Sequence, residues 1–298
     1  MTRGHPVSLI GWFTGLDPTA GSYTGVVEHR SEPPLVVQVR YLQGERSARM
    51  TFMLMGGDPE AGGLTGLDSL LDESAARAGS WGACNLLAEV PEHLTLPANL
   101  RRSGYTVYAS QTVWQVPKHL TGGADGPQNT WLPATHRDEV QVRGFYQSLV
   151  PPLVQAAEAW QPNRLQGYLH QQDGEMLAYV DVHSGPYGIY LLPVLHPAIS
   201  DPEGLLLELL AHLPGRLNRP LYLAVRSYQA GLEYPLEKLG CQPGQRSVLM
   251  VKHLALAQRA LVYNERHIVG EKSFPEPTTP IMGARSRVEE PNWLGRLN

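Results

Sequence analysis

The chain has 298 residues, of which 42% are hydrophobic and 17% charged, and its net charge is −4. That length fits one large or two ordinary domains, and the composition suits a globular protein with a real core. Scattered arginines on a slightly acidic chain give no electrostatic footprint for nucleic acid. No run approaches the ~20 apolar residues of a membrane-spanning helix.

The start, MTRGHPVSLIGWF, has a short apolar run broken by glycine and no small-residue cleavage site, which makes a poor signal peptide. VSLIGWF, YTGVVEHR and PLVVQVRYLQ read as strands, punctuated by Asp17-Pro18, Gly21-Ser22, Pro33-Pro34 and Gly44. RMTFMLM, residues 49–55, adds another strand before the glycine-rich GGDPEAGG. Leu67, Leu70, Leu71, Ser74 and Ala75 then fall at helical spacing. Residues 117–133 hold three prolines and three glycines without periodicity, which predicts a linker. Val142, Phe145, Tyr146, Leu149, Val150, Leu153 and Val154 mark an apolar helical face that Pro151-Pro152 should split in two. LQGYLHQQ and EMLAYVDVHS alternate around Asp173-Gly174, a strong hairpin signal. GIYLLPVLHP predicts a strand and GLLLELLAHLPGRL a helix. The tail, 258–298, is proline-rich and ends near Trp293, an anchor expected to dock on this protein or on a partner. Cys84 and Cys241, the only cysteines, read as reduced and buried, and so point to the cytoplasm.

One stretch occurs twice. Residues 84–116 overlay 221–254 with Gly104 on Gly240, and then Leu87 meets Leu223, Ala88 meets Ala224, Leu96 meets Leu232 and Leu100 meets Leu236. Each copy reads as strand, short helix closed by a left-handed glycine, and strand. LRRSGY and LEKLGC at the helix-to-strand junction resemble the C-terminal half of the GCN5-related N-acetyltransferase (GNAT) fold. The resemblance implies an α/β (α+β) protein of two such domains, each a mixed, mostly antiparallel sheet flanked by helices. These would be a trimmed domain at 1–118, a linker at 119–135, a fuller domain at 136–257 and the tail at 258–298.

The resemblance also implies acetyl-coenzyme A, with its pyrophosphate held at a helix N-terminus by glycines and backbone N–H groups. In the second copy that stretch is HPAISDPEGLLL, making Leu195, His196, Ser200 and Gly204 the candidate contacts. It has one glycine and no basic residue, and Ser200-Asp201-Pro202-Glu203 predicts a capping box with Ser200 as N-cap. In the first copy the candidates are Gly57, Gly62, Gly63 and Gly66. Asp58 and Glu60 lie among them, no basic residue occurs from 50 to 74, and residues 65–68 read as a second capping box. The tyrosine that the family uses as general acid falls on Leu100 and Leu236 here, so Tyr234 does not carry over by position.

Four residues are candidates for proton transfer. Glu89 ends an apolar strand, where burial would suit a carboxylate to accept a proton from an amine. Asp181 and His183 alternate with valines and so share one strand face; Tyr234 completes the set. Histidines without metal-ligand spacing support no metal site, and no hydrolase, P-loop or dinucleotide motif occurs. Two functions stay open. One is an acyl-coenzyme A-dependent N-acyltransferase with a degenerate pyrophosphate loop. The other is a non-catalytic interaction platform whose tail engages a partner protein or a second copy. The acidic balance argues against an aminoacyl-tRNA donor.

Overall fold

The computed structural model describes residues 20–28, 34–54, 66–118, 120, 130–160, 165–213 and 219–254. The expected strand VSLIGWF, Gly57, Gly62, Gly63, Thr65 and the Trp293 tail lie outside the described residues.

The first half begins with an antiparallel meander of β1 (Ala20–Val27), β2 (Leu35–Leu42) and β3 (Ser47–Leu54). In β2 every second residue is buried, the period expected when one face of a strand meets a core. Helix α1 (Leu67–Ser80) buries Leu67, Leu70, Leu71, Ser74, Ala75 and Ala78, the spacing seen in the sequence. Ser74 is tolerated there because its Oγ donates to the Leu70 carbonyl at 2.7 Å. Then come β4 (Asn85–Pro91), α2 (Leu96–Arg102) and β5 (Thr106–Val116).

The second half holds β6 (Trp131–Pro133), α3 (Glu139–Leu149), α4 (Pro152–Ala157), β7 (Gly167–Gln172), β8 (Glu175–Gly185) and β9 (Gly188–Leu195). It continues with α5 (Pro202–His212), β10 (Leu221–Arg226), a 3-10 turn (Ser227–Leu232), α6 (Glu233–Lys238) and β11 (Gln242–His253). Pro151-Pro152 separates α3 from α4 as expected, although Leu153 faces solvent. Asp173 and Gly174 both have positive φ, the conformation a two-residue type I′ hairpin requires.

Two expectations are corrected. Residues 131–133, read as linker, form the edge strand β6. Fully buried Trp131 anchors it, its indole donating to the Leu205 carbonyl at 2.9 Å. The N-cap of α5 is Asp201, not Ser200: Pro202 opens the helix, and Asp201 Oδ1 accepts from Gly204 N at 2.9 Å. Glu203 points instead to Lys238, 3.7 Å away.

The strands join in one sheet with the order β1-β2-β3-β4-β11-β5-β10-β9-β8-β7-β6. The last strand of each half therefore crosses into the other. β11 lies between β4 and β5 and brings Val248 and Met250 to the core under α1 and α2. β5 in turn lies against β10 and brings Trp114 and Val116 to the core under α5 and α6. Each half is thus completed by the other's final strand. Residues 1–257 form one unit.

The two segments overlaid in the sequence follow the same element order, with one adjustment. Leu86, Ala88 and Val90 face the first core as Leu221, Leu223 and Val225 face the second. The partner of Leu223 in the fold is therefore Ala88, whereas the strict overlay sets it on Leu87, whose side chain lies in a different cluster. The strand overlay slips by one residue, and the second copy has one residue more before its helix. From the helices onward the overlay holds, Leu96 with Leu232 and Leu100 with Leu236.

Gly104 and Gly240 both end their helices left-handed, at φ 84° and 72°. In each, the glycine N–H bonds back three residues and the next N–H, of Tyr105 or Cys241, bonds back five to Leu100 or Leu236. A Cβ at Gly240 would meet nothing within 4 Å, so Gly240→Ala tests backbone conformation alone. It should cost about 1 kcal/mol in a urea melt with unchanged slope.

Candidate functional site

Among the described residues parallel pairing occurs at two places and is short at both. β3 pairs with β4 only over Ser47–Arg49, and β9 with β10 only over Ile189–Leu191. Beyond these residues the strands part, leaving a wedge at their C-terminal ends; α1 follows β3 and α5 follows β9 in the chain. Crevices of this kind in open α/β sheets take ligands, and a helix N-terminus beside one offers free N–H donors.

The second wedge is closed by the chain itself. Gln229, from the 3-10 turn, reaches across to β9: its Oε1 accepts from Leu195 N at 3.0 Å and its Nε2 donates to Leu195 O at 3.4 Å. A carboxamide that accepts and donates in this way substitutes for a strand backbone. The other candidates there are also engaged. Ala198 N donates to His196 Nδ1 at 3.1 Å, Gly204 N donates to Asp201, and Ser200 is exposed. An anion at this helix end would meet the Asp201 carboxylate.

The first wedge differs. Its helix α1 has Gly66, φ 86°, at the N-cap, a residue with no side chain to cap the helix, and Thr65 of the expected capping box lies outside the described residues. Asp68 turns aside to accept from Ser103 Oγ at 2.7 Å. His93 stands three residues before Leu96, as Gln229 stands before Leu232, yet among the described residues its side-chain hydrogen bond is to Gln245 of β11.

Glu89, Asp181 and His183 share the sheet face opposite α1, α2, α5 and α6. Gln111 Nε2 donates to Glu89 Oε1 at 2.7 Å, and the Tyr190 hydroxyl faces the same amide. His183 lies against the Tyr190 ring, with 6.4 Å between centroids, and its Nε2 is 3.1 Å from Asp181 Oδ2. Tyr190 and Gln111 thus link three of the four predicted proton-transfer residues. Tyr234 is elsewhere: it is exposed on α6, across the sheet, beside Lys238.

Beneath this row lies a buried ion pair. Arg226 Nη2 is 2.9 and 3.1 Å from the two oxygens of Glu158, which also accepts from the Tyr108 hydroxyl. Burial alone would raise the Glu158 pKa, but the Arg226 and Arg49 guanidiniums and the Tyr108 hydrogen bond bring it down to about 2. Burial, with Glu158 adjacent, pushes the Tyr108 hydroxyl well above the ordinary tyrosine range. Glu158 is held here because the end of α4 docks on the first half: Ser47 Oγ donates to Ala157 O at 2.7 Å and Asn85 Nδ2 to Ala156 O at 3.1 Å. On the same side Arg143, Tyr146, Gln147, Gln155, Ala159 and Trp160 line a depression of about 260 Å³. Among the described residues no group of acidic, histidine and cysteine side chains could hold a metal ion.

Sequence reasoning found Glu89 as a lone carboxylate in an apolar strand. It missed Gln111, Tyr190, Glu158, Arg226 and Gln229, which become neighbours only across strands distant in sequence.

No protein-family model and no curated protein matches the sequence. Among solved structures, a tandem GNAT protein from the clavulanic acid biosynthesis pathway superposes with a TM-score of 0.50 at 17% identity, over 84% of this chain and 89% of that one. A functionally unknown conserved protein from Staphylococcus epidermidis gives a TM-score of 0.50 at 11% identity, over 78% and 95%. The chain has the GNAT fold, with a large, mostly antiparallel mixed sheet flanked by helices. Among the described residues no helix is long and apolar enough to cross a membrane. Neither Cys84 nor Cys241 is in a disulfide; Cys241 is buried and Cys84 half-buried.

Proposed function

We propose that this chain is an acyl-coenzyme A-dependent N-acyltransferase built from two GNAT-like lobes, 1–118 and 136–257, related by an internal repeat and joined through 119–135, and located in the cytoplasm. Only the first lobe would hold acyl-coenzyme A. The observation carrying this reading is the asymmetry of the wedges: the second is bridged by Gln229 and capped by the Asp201 carboxylate, whereas the N-cap of α1 is Gly66, which brings no carboxylate to the helix end. The N–H groups of Gly66, Leu67 and Asp68 fit an anion, with Gly57, Gly62 and Gly63 as the accompanying loop. The loop is degenerate, because it brings no lysine or arginine to the pyrophosphate.

Acyl-coenzyme A bound there would supply a thioester: as the C–N bond to the amine forms, the C–S bond would break, and coenzyme A would leave as the thiol with the second proton given up by the nitrogen. Glu89 is the residue to take the proton from the incoming ammonium, with Gln111 holding one carboxylate oxygen so that the other faces the substrate. Asp181 and His183 lie further along the same face and would orient the acceptor. Tyr234, on the far side of the sheet, has no part in this scheme.

Calorimetric titration with acetyl-coenzyme A is expected to give one site per chain. Ser69→Glu, which adds a carboxylate to the exposed first turn of α1, should weaken binding at least ~10-fold. Gln229→Ala should leave the stoichiometry at one. Two sites, or a site that Ser69→Glu leaves intact, would refute the one-lobe assignment. Absence of binding up to millimolar ligand favours the second reading, a non-catalytic interaction protein, which the lack of basic residues between 50 and 74 supports. A partner protein or a second copy, engaged through the tail, would then be sought.

A further inference from the structure

Gln111 and Arg226 are direct cross-strand partners on the face that carries Glu89. Both are more than nine-tenths buried, at 4% and 7% exposure. Each keeps one buried polar atom without a hydrogen-bond partner among the described residues: Oε1 of Gln111 and Nε of Arg226. Buried polar atoms are almost always satisfied, so two unmatched ones on directly paired residues call for a common explanation.

The orientation of Gln111 is fixed by chemistry. The Glu89 carboxylate oxygen accepts, so the amide nitrogen, 2.7 Å away, faces it and the amide oxygen points elsewhere. Arg226 already spends Nη2 on Glu158, and that pair neutralises its charge. What remains, with the Tyr190 hydroxyl against the Gln111 amide and the Tyr228 hydroxyl against the Arg226 guanidinium, is one N–H donor and one C=O acceptor. A phosphate or carboxylate could satisfy the first but not the second, and an ammonium the second but not the first. A hydroxyl group, which both donates and accepts, satisfies the two together.

We infer that Gln111 Oε1 and Arg226 Nε form a recognition point for a hydroxyl group on the acceptor, so that the substrate is an amino alcohol. The inference rests on the reading of Glu89 as the residue that meets the amine. Gln111 would contact both functional groups of one molecule, with its amide nitrogen holding Glu89 for the amine and its oxygen accepting from the hydroxyl. Exposed Glu89, beside buried Gln111, is the side from which the ligand would enter.

The test is calorimetric titration of the full chain, without coenzyme A, using 2-aminoethanol through 5-amino-1-pentanol and the alkylamines of matching length. At least one amino alcohol should bind ~30-fold or more tightly than its alkylamine, because the analogue leaves two buried polar groups unmet. Gln111→Met, which keeps the volume and removes the acceptor, should abolish that preference. Equal binding of the two series, binding of neither, or a preference that survives Gln111→Met would overturn the inference. So would a crystal structure of the amino alcohol complex in which an ordered water still bridges Gln111 and Arg226. If Gln111→Met does not fold, the wild-type comparison decides alone. Because coenzyme A is left out, failure of the acyltransferase reading in its own titration stays distinct from failure here.

Discussion

Ending the chain at Cys241, so that β11 is lost, is expected to unfold both halves. β11 fills the place between β4 and β5, and its Val248 and Met250 belong to the core under α1 and α2. Without it, β4 and β5 would present unpaired edges, and β5 would have only β10 as a neighbour. The point-mutant version is Met250→Ala. Met250 is fully buried, so this change should cost about 2–5 kcal/mol. The distinguishing readout is hydrogen exchange at amides of β2 and β9, far apart in the sheet. Both should lose protection by the same free energy, because the halves share strands and open together. Loss confined to β2 would show that the second half stands alone despite the exchange.

Glu158→Gln is expected to destabilise the protein by about 3–5 kcal/mol, because it leaves the buried Arg226 guanidinium without its counter-charge. Replacing both partners, as in Glu158→Leu with Arg226→Met, should recover most of the loss. The pH dependence follows from the carboxyl group, whose folded pKa is depressed from 4.5 to about 2. A depressed carboxylate contributes stability that is complete above its unfolded pKa and is lost as pH falls through the folded one. That contribution is about 3 kcal/mol, given 1.36 kcal/mol for each pKa unit. The gap between wild type and Glu158→Gln in urea melts should therefore be constant above about pH 5. It should narrow steadily as the pH is lowered from 4.5 towards 2. A gap that widens in acid would contradict the assignment.

Much of the element order could be read along the chain because its signals are local. The alternation in 35–42, the leucines of α1, the proline pair before α4 and the Asp173-Gly174 turn each specify backbone within a few residues. The repeat likewise pointed to the GNAT fold. Its strand register slipped by one because the helix and glycine fixed the overlay, while the connection before the helix differs in length by one residue. In a strand such a slip exchanges the two faces. Strand exchange left no local trace, since β11 and β5 each look like an ordinary apolar strand that would pair with its own half. The candidate site was legible only as far as Glu89, Asp181 and His183. Gln111 sits in a strand of polar and aromatic residues, Arg226 was one scattered arginine among many, and Glu158 ends a helix. Their meeting depends on which strands are neighbours and not on spacing.

The exchanged strands also set a timetable for synthesis. While β5 is emerging from the ribosome, the strand that belongs beside it still lies about 130 residues further along the message. At 5–20 residues per second the first half must wait roughly six to twenty-six seconds for its missing neighbour. During that interval the apolar edges of β4 and β5 are exposed to any other nascent chain. Slow translation should therefore lower the yield of soluble protein, and a chaperone that shields β edges should restore it.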